Sequence, residues 1–400
     1  MKLILIKFGK AWTTIKKNGF LKGSRRILEY LSVYIKLLFA PKKGDILFVT
    51  GGVGDSAHYR SYTVAEELRI HKFKCSVAIQ DNPFLYKYAN GFNVFVFQKT
   101  ISTPILQKLI REIKRQKKEI IFETDDLVFE EKYLKQTDYW KQMDRFTKKQ
   151  YIGGQGGEIL KDEYVKVCTT TTNFLKNKLE KYNKKVFLVP NRICNEELRI
   201  ASEEYKKRKF MDSNFIKIGY FSGTISHNKD FATISDVLLK IMQKYKNVKL
   251  VLVGPLDVEH KLYKFSERIE QLPMVSRKKH YANIAKVDIN IAPLEINNDF
   301  CQAKSELKFF EAGIVGVPTV ATATRTFQEA IKDGIDGFVA KNSDEWFLKL
   351  ENLIVNKKNR VKMGKEARKI ALQKYTVKNS SNKKYYQYLK KVLNKKYEKI

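Results

Sequence analysis

A short segment near residue 310 brings together a hydroxyl, an amine and a carboxylate. Ser305 stands where it can cap a helix, and Lys308 and Glu311 fall on one face of that helix because they are three positions apart. A glutamate in this setting can accept hydrogen bonds from the two vicinal hydroxyls of a ribose. The alternative is a surface ion pair between Lys308 and Glu311, worth roughly 0.2–0.5 kcal/mol.

A glycine-containing turn precedes another lysine upstream of that segment. Ser222, Gly223 and Thr224 follow the apolar run 218–221, and Lys229 lies at the start of the next predicted helix. A lysine beside a helix N-terminus is well placed to neutralise a leaving diphosphate.

A second glycine loop, 50–55, follows the first predicted strand of the chain. Glycine allows close approach of the backbone to a ligand and leaves helix N-terminal amides available to an anion. The candidate ligand contacts in and after this loop are Gly52, Gly54, Asp55, Tyr59 and Arg60. The alternative is a turn that only connects a strand to a helix.

From residue 44 onward, short apolar runs alternate with segments of helical periodicity. The predicted strands are 45–50, 75–79, 94–97, 120–122, 165–167 and 186–189, followed by 216–221, 249–253, 288–292, 319–321 and 337–340. This alternation predicts βαβ units and mainly parallel sheets. The charged stretch 203–213 interrupts it, so we place an interdomain linker there. The pattern predicts two doubly wound α/β domains, with ligands in the cleft at the C-terminal ends of their strands.

The regions outside these two domains are basic and helical. The predicted divisions are 1–44 for a basic amphipathic N-terminal segment, 45–205 for the first domain, 214–375 for the second and 376–400 for a C-terminal helical tail. Residues 1–44 hold eleven Lys or Arg, one acidic residue and many apolar residues. This pattern favours a helix lying on an anionic membrane, and the alternative is a helix packed on the protein's own surface.

Length and charge restrict the class of protein. The 400 residues suggest two domains, and the 77 Lys or Arg against 43 Asp or Glu give a net charge of +34. Such a charge attracts phosphate groups, although a general lysine bias of the genome accounts for the excess equally well. No helix-turn-helix, zinc-finger or RNA-recognition motif supports nucleic-acid binding. The four cysteines are widely and irregularly spaced, which predicts neither a metal site nor a disulfide framework.

Taken in order, these motifs resemble family-4 retaining glycosyltransferases of the GT-B fold over about residues 45–375. The segment 304–321 is similar to the family's donor-binding helix and turn, and 219–224, 251–254, 291–295 and 333–338 reinforce the likeness. In the first domain, 54–55 with 59–60, 125–127 and 190–191 are similar to members found in bacterial surface-glycan clusters.

The resemblance implies two Rossmann-like domains and transfer of a sugar from a nucleotide-diphosphate donor with retention of configuration. No bound metal or other cofactor is implied. Glu311 would hold the ribose and Lys229 the diphosphate. The remaining candidate donor contacts are Gly223, Thr224, His227, Lys304, Ser305 and Lys308. Asp125 would orient the acceptor or stabilise a developing oxocarbenium charge, and the alternative is a helix cap at Asp125 or Asp126.

By the same resemblance, the first domain would receive a glycan or lipid-linked acceptor. Together with the basic segment 1–44, this predicts an enzyme that acts peripherally at the cytoplasmic face of a bacterial cell membrane. The chain departs from the family at Ala303, where a second glutamate is frequent, so Lys304, Ser305 or Glu295 would have to supply that contact. This departure leaves open a catalytically inactive GT-B protein that binds polyanions or lipids. A soluble enzyme with 1–44 packed on its first domain is a further alternative.

Overall fold

The computed structural model describes residues 20–39, 41–135, 140–141, 145, 148, 152–208, 214–223, 228–256, 260–379 and 382–397. Within these residues the chain forms two compact units. The first runs to Thr171, continues over Leu175–Val189 and includes the last helix, and the second holds Thr172–Phe174 and the residues from Pro190 to 379. The first domain was predicted to end at 205, but the second unit already begins at Pro190. The second domain was predicted to end at 375, and the second unit continues to 379.

The first unit is built on one parallel sheet of six strands in the order β2-β1-β3-β4-β5-β6. Its strands are β1 (Ile46–Thr50), β2 (Cys75–Ile79), β3 (Val94–Gln98), β4 (Glu119–Thr124), β5 (Val167–Thr170) and β6 (Lys185–Leu188). Strands β1, β2 and β3 are buried along their whole length, as expected where helices cover both faces of a parallel sheet.

The second unit holds another parallel sheet of six strands, in the order β12-β11-β10-β7-β8-β9. Its strands are β7 (Ile216–Phe221), β8 (Val248–Val253), β9 (Ile269–Leu272), β10 (Ile289–Ala292), β11 (Thr319–Thr322) and β12 (Phe338–Ala340). Alternate residues enter two different cores: Leu250 and Leu252 pack on one face of the sheet, and Val251 and Val253 on the other.

Helices flank both sheets. They are α1 (Phe20–Leu38), α2 (Asp55–Ala57), α3 (Val64–Ile70), α4 (Pro104–Arg115), α5 (Glu131–Leu134), α6 (Gly157–Lys161), α7 (Asn173–Glu180), α8 (Asn195–Lys207), α9 (Asn228–Ala232), α10 (Ser235–Lys244), α11 (Arg277–Ala285), α12 (Asp299–Gln302), α13 (Leu307–Ile314), α14 (Arg325–Ala330), α15 (Ser343–Val355), α16 (Lys357–Lys374) and α17 (Lys383–Tyr397). A π-helical turn, His58–Thr63, joins α2 to α3, and shorter 3₁₀ helices cover Leu85–Asn90, His260–Arg268 and Val377–Asn379.

The two predicted α/β domains with parallel sheets are confirmed, with local differences. Strand β5 begins at Val167 rather than at Val165, and the edge strand β9 was not predicted. The C-terminal helix α17 is not a separate tail, because Tyr385 and Leu389 are buried in the core of the first unit. Asn382 donates a 2.8 Å hydrogen bond to Oε1 of Glu67 in the same unit.

Helix α1 presents two different apolar surfaces. Leu37 is buried in the core of the first unit, where Tyr34 and Leu38 pack beside it. Leu28 and Ile35 remain 65% and 51% exposed. The predicted packing of a helix on the protein's own surface therefore holds for one side of α1 only. Among the described residues, no helix is long and apolar enough to cross a membrane.

Candidate active site

Helix α13 packs beside β10 and β11 of the second sheet. Asn290 on β10 is 1% exposed, and its side-chain amide donates a 3.0 Å hydrogen bond to the carbonyl of Lys308. The same amide donates to the hydroxyl of Thr319 at the start of β11, also at 3.0 Å. A buried polar side chain thus fixes the start of α13 against two strands.

Glu311 is buried on this helix, with 9% of its surface exposed. Its Oε2 lies 3.3 Å from Nε2 of His280, and its Oε1 lies 3.7 Å from Nη1 of Arg277. Both partners are on α11. The alternative of a solvent-exposed surface pair with Lys308 is therefore wrong, because Glu311 is buried and faces α11.

Arg277 links Glu311 to a second buried carboxylate. Its Nη1 lies 3.1 Å from Oε1 of Glu197, which is 3% exposed on α8. The other oxygen of Glu197 accepts a 3.2 Å hydrogen bond from the backbone amide of Cys194. Helices α8, α11 and α13 therefore hold the Glu311 carboxylate through charged contacts in a poorly solvated place, where such contacts are strong.

Lys308 sits half-buried near the Glu311 carboxylate. Burial lowers the pKa of Lys308, Glu311 and Asp230 oppose that change, and the positive charge of Lys304 adds to it. An ammonium group with a depressed pKa favours a nearby negative charge. The surroundings of Lys308 therefore suit an anionic ligand group.

Asp230 anchors the loop that follows β10 to the short helix α9. It is 4% exposed and accepts hydrogen bonds from the backbone amide of Glu295 and from the thiol of Cys301, both at 3.3 Å. Burial and the Asp230 charge raise the pKa of Cys301 to about 12. The neighbouring Lys229 is exposed on α9. The structure thus places Lys229 on the same helix as an anchor of the candidate donor loop.

Of the residues just before α13, Ser305 departs from the predicted arrangement. Ser305 does not cap the helix: the N-cap residue is Glu306, and Ser305 instead accepts a 3.0 Å hydrogen bond from the side-chain amide of Asn191. Ala303 is fully buried, so this position offers no ligand contact. The Lys304 amine lies 4.3 Å from the ring centroid of Phe300.

The turn after β7 is only partly within the described residues. Gly223 is exposed at the end of that strand, whereas Thr224 and His227 lie outside the described residues. Gly254, after β8, has a φ of +103°, and a Cβ there would meet the carbonyl oxygen of Ser222 at 2.0 Å. This close approach of two strand ends requires glycine.

In the first unit, the ends of β3 and β4 carry a charged cluster that includes Asp125. The Lys99 amine lies 2.6 Å from Oδ1 of Asp125 and 2.5 Å from Oδ2 of Asp126. Burial favours the neutral amine, but the two carboxylates outweigh it and raise the pKa of Lys99 above its ordinary value. Residues 125–130 are not helical and the next helix, α5, begins only at Glu131, so the helix-cap alternative is wrong.

Asp125 is also joined to β1 through a chain of side chains. Ser56 donates to its carboxylate at 2.9 Å, Gln98 donates to Ser56 at 2.8 Å, and Thr50 donates to Gln98 at 2.8 Å. Ser56 and Lys99 were missed by the sequence reasoning. The signal available was positional, because Lys99 and Asp125 each directly follow a strand.

The predicted ligand loop of the first unit divides into exposed and buried residues. Gly52, Gly54 and Asp55 lie at or near the surface, and a Cβ at either glycine would meet no atom within 4 Å. Tyr59, by contrast, is 3% exposed. It therefore faces the interior.

Arg60 requires a correction as a candidate ligand contact. It is fully buried, and its guanidinium donates to both oxygens of Glu123, at 2.7 and 3.0 Å, and to the carbonyl of Val189 at 2.7 Å. A guanidinium enclosed in this way cannot reach a ligand. Arg60 therefore has a structural role that joins β4 to the end of β6.

Comparison with family profiles identifies a match within the second unit. Residues 216–356 match a family profile described as "Glycosyl transferases group 1". The matched range includes Arg277, His280 and Glu311 but not Glu197 on α8. By sequence, no curated protein matches the chain. The matched domain supports a transferase.

Solved glycosyltransferases share the fold across most of the chain. A glycosyltransferase from Rickettsia africae superimposes with a TM-score of 0.61 at 15% identity, covering 88% of this chain and 99% of its own. HepE from Anabaena, solved in complex with UDP, gives 0.59 at 14% identity, covering 87% and 100%. A sucrose-phosphate synthase from Thermosynechococcus elongatus gives 0.58 at 11% identity, covering 88% and 99%. The two six-stranded units are those of the GT-B fold.

Proposed function

We propose that this enzyme transfers a sugar from a nucleoside diphosphate sugar to a glycan or lipid-linked acceptor, with retention of configuration, in bacterial surface-polysaccharide synthesis. The observation that carries the proposal is the buried Glu311 carboxylate, held by His280 at 3.3 Å within the matched glycosyltransferase domain. The UDP bound in the Anabaena neighbour supports a nucleotide donor.

In this proposal Glu311 accepts hydrogen bonds from the ribose hydroxyls. Its contacts with His280 and Arg277 orient the two carboxylate oxygens before the ligand arrives. Pre-orientation reduces the entropy lost on binding, so most of the interaction free energy contributes to affinity. Lys308 and Lys304 are near enough to each other to interact electrostatically. In this proposal the positive charges of both side chains stabilise the bound diphosphate.

The proposed chemistry needs stabilisation of the leaving diphosphate. The bond between the anomeric carbon and the diphosphate oxygen breaks, and its electron pair stays on that oxygen. The acceptor hydroxyl oxygen bonds to the anomeric carbon from the same face and passes its proton to the leaving phosphate. Lys229, on α9, would neutralise the charge that develops there.

We assign acceptor positioning to Asp125 in the first unit. Its carboxylate is already paired with Lys99 at 2.6 Å and accepts from Ser56 at 2.9 Å. Because Lys99 and Ser56 hold the carboxylate in place, Asp125 would accept a hydrogen bond from an acceptor hydroxyl and orient it.

We further propose that α1 places the enzyme peripherally on the cytoplasmic face of the cell membrane. Leu28, Leu31 and Ile35 are spaced three and four positions apart, so they share one side of the helix, and they are exposed. Phe39, one residue beyond the helix, is 81% exposed. An apolar stripe on a basic segment suits the surface of an anionic bilayer.

The test is thermal unfolding of the full chain with UDP, GDP, ADP or CMP and their sugar conjugates. A ligand at 100 times its Kd stabilises by about 2.7 kcal/mol. We expect one nucleotide family to raise Tm, and Glu311→Ala to abolish that rise. The matched control is Glu267→Ala, which removes an exposed carboxylate from the same unit.

An inactive, polyanion-binding protein is the competing function, and the buried Ala303 is the observation that favours it. It predicts no selective response to any nucleotide and equal stabilisation by unrelated polyanions. A Tm rise that is specific for one base and lost in Glu311→Ala would exclude it. Release of that nucleotide from its sugar conjugate in the presence of acceptor would then establish catalysis.

A further inference from the structure

The second unit has a cavity of about 400 Å³ that the proposed reaction does not use. It lies at the N-terminal edge of the sheet, since Lys217 is the second residue of β7, Asp288 precedes β10 and Gly316 precedes β11. The strands are parallel, so this edge is opposite to the one that carries the candidate donor loops. We name it the basic pocket. Its charged lining residues are Glu204, Lys207, Arg208, Lys217, Lys286, Asp288, Lys357 and Arg360.

Positive charge exceeds negative charge in the basic pocket. Six of these residues are Lys or Arg and two are acidic, a difference of four charges. The two acidic groups are already engaged: Glu204 lies 3.0 Å from the amine of Lys207, and Asp288 lies 3.9 Å from Nε of Arg360. The lining therefore lacks the anions needed to balance its cations.

Arg208 identifies where an anion is missing. Its Nη1 is buried from solvent and has no hydrogen-bond partner within the described residues. Burial lowers the pKa of Arg208, Asp288 partly opposes this change, and the like charge of Arg360 adds to it. A buried guanidinium nitrogen without an acceptor is costly unless a ligand supplies one.

The start of α16 contributes a second source of positive potential. Lys357 is the first residue of this 18-residue helix and lines the basic pocket together with Arg360. The first backbone amides of a helix have no partner within the helix and favour anions. The side chain of Asn356 accepts a hydrogen bond from the backbone amide of Asn359 and so caps this helix.

We propose that the basic pocket binds a phosphate-bearing anion, with the guanidinium of Arg208 as its central contact. A guanidinium offers paired donors that match phosphate oxygens, and the surrounding lysines add charge without fixed geometry. The concave shape and volume suit one phosphorylated small molecule or one headgroup, not a polymer. The phosphate belongs either to a soluble phosphate ester or to a lipid headgroup.

The first arm of the test is isothermal titration of the full chain with inorganic pyrophosphate. All proteins carry Lys229→Ala, so that the candidate donor site contributes little to the signal. We expect Arg208→Gln to weaken binding roughly tenfold, the loss expected for a charge-assisted hydrogen bond. Lys286→Gln changes an exposed lining residue and should weaken pyrophosphate binding less than Arg208→Gln does. It tests the pocket with a variant that still folds if Arg208→Gln does not.

Lys362→Gln is the matched control, since it removes an equal charge from an exposed position on α16 outside the pocket lining. Unchanged affinity in Arg208→Gln, or equal weakening in Lys362→Gln, would overturn the proposal. A Glu311→Ala protein that has lost its nucleotide response should keep its response to pyrophosphate. The two proposals can therefore fail separately.

The second arm identifies the source of the phosphate. Co-flotation is measured with phosphatidic acid vesicles and with phosphatidylcholine vesicles. Loss of phosphatidic acid binding in Arg208→Gln assigns a lipid headgroup. Dependence on Arg208 with pyrophosphate but not with vesicles assigns a soluble phosphate ester. If neither arm depends on Arg208, the basic pocket does not bind phosphate.

Discussion

Nε2 of His280 lies 3.3 Å from Oε2 of Glu311, across the contact between α11 and α13. The imidazole ring is also edge-on to the ring of Phe221, the last residue of β7, with centroids 5.6 Å apart. The ring is thus held by packing as well as by its polar contact. His280 is therefore a positioning residue for the carboxylate that we assign to the ribose.

We expect His280→Phe to weaken donor binding with little effect on the chemical step. Loss of one 3.3 Å hydrogen bond to the Glu311 carboxylate should cost about 1 kcal/mol. This corresponds to about a fivefold rise in the donor KM. Steady-state kinetics with varied donor measure it. His280→Gln, which retains a donor, should recover part of the affinity. A fall in kcat with an unchanged KM would contradict the positioning role.

Lys308→Met should stabilise the ligand-free protein and weaken donor binding. Burial lowers the folded-state pKa of Lys308 below its ordinary value of 10.5, so the unfolded chain binds more protons between those two pH values. Stability of the wild type therefore rises with pH across that window. Denaturant unfolding at several pH values should show that the advantage of Lys308→Met is largest at neutral pH and shrinks as pH rises.

Two further observations would bear on Lys308. The exposed Lys279, on α11, gives a matched Lys279→Met control that should not change stability with pH in this way. If Lys308→Met unfolds more readily than the wild type at neutral pH, the ammonium is stabilising, and burial does not lower the pKa of Lys308.

The alternation of apolar runs predicted both sheets because buried parallel strands are apolar on both faces. Strand β9 was not predicted because its sequence, Ile-Glu-Gln-Leu, has only two apolar residues. The strand lies at the edge of the sheet, where its middle residues stay exposed. Helix α17 was read as a tail because its periodicity shows an apolar face but not the surface that covers it. Its partner residues, such as Phe48, are more than 300 positions away.

The candidate site was predictable where a motif is local. Lys308 and Glu311 share one short helix, so their spacing was informative. The partners of buried charges were not predictable, because nothing local connects Arg60 to Glu123 or Glu311 to His280. From sequence alone, an arginine beside a glycine loop is predicted to be exposed. Only the tertiary fold brings the buried carboxylate of Glu123 to Arg60.

The pairing of Lys99 with two carboxylates leads to a stability prediction. Lys99→Met leaves Asp125 and Asp126 facing each other, and we expect a loss of about 2 kcal/mol, less than for fully buried pairs because these side chains are 13–22% exposed. The pKa of Lys99 is raised above its ordinary value of 10.5. The contribution is therefore fully present below pH 10.5 and is lost only as pH rises through the folded-state pKa.

Urea unfolding at pH 7 and pH 9 measures this loss, which should be equal at the two values. The double variant Lys99→Met with Asp126→Asn should regain stability, since it removes one of the two repelling charges. Asp125→Asn should instead raise the acceptor KM while leaving the Tm response to nucleotides intact. No gain of stability in the double variant would mean that Lys99 acts through packing.

The exposed apolar stripe of α1 leads to a prediction that tests the proposed membrane binding. Replacing Leu28, Leu31 and Ile35 together by Ser removes exposed apolar groups without touching Leu37, which is 4% exposed. We expect Tm to change little and binding to phosphatidylglycerol vesicles to fall roughly a hundredfold, because each of the three lost apolar side chains forfeits about 1 kcal/mol of transfer free energy. The matched control replaces three exposed apolar residues of the second unit, Tyr263, Leu348 and Val355, by Ser. Equal loss of vesicle binding in both triple variants would mean that α1 has no special role, whereas loss confined to the α1 variant assigns membrane contact to this helix.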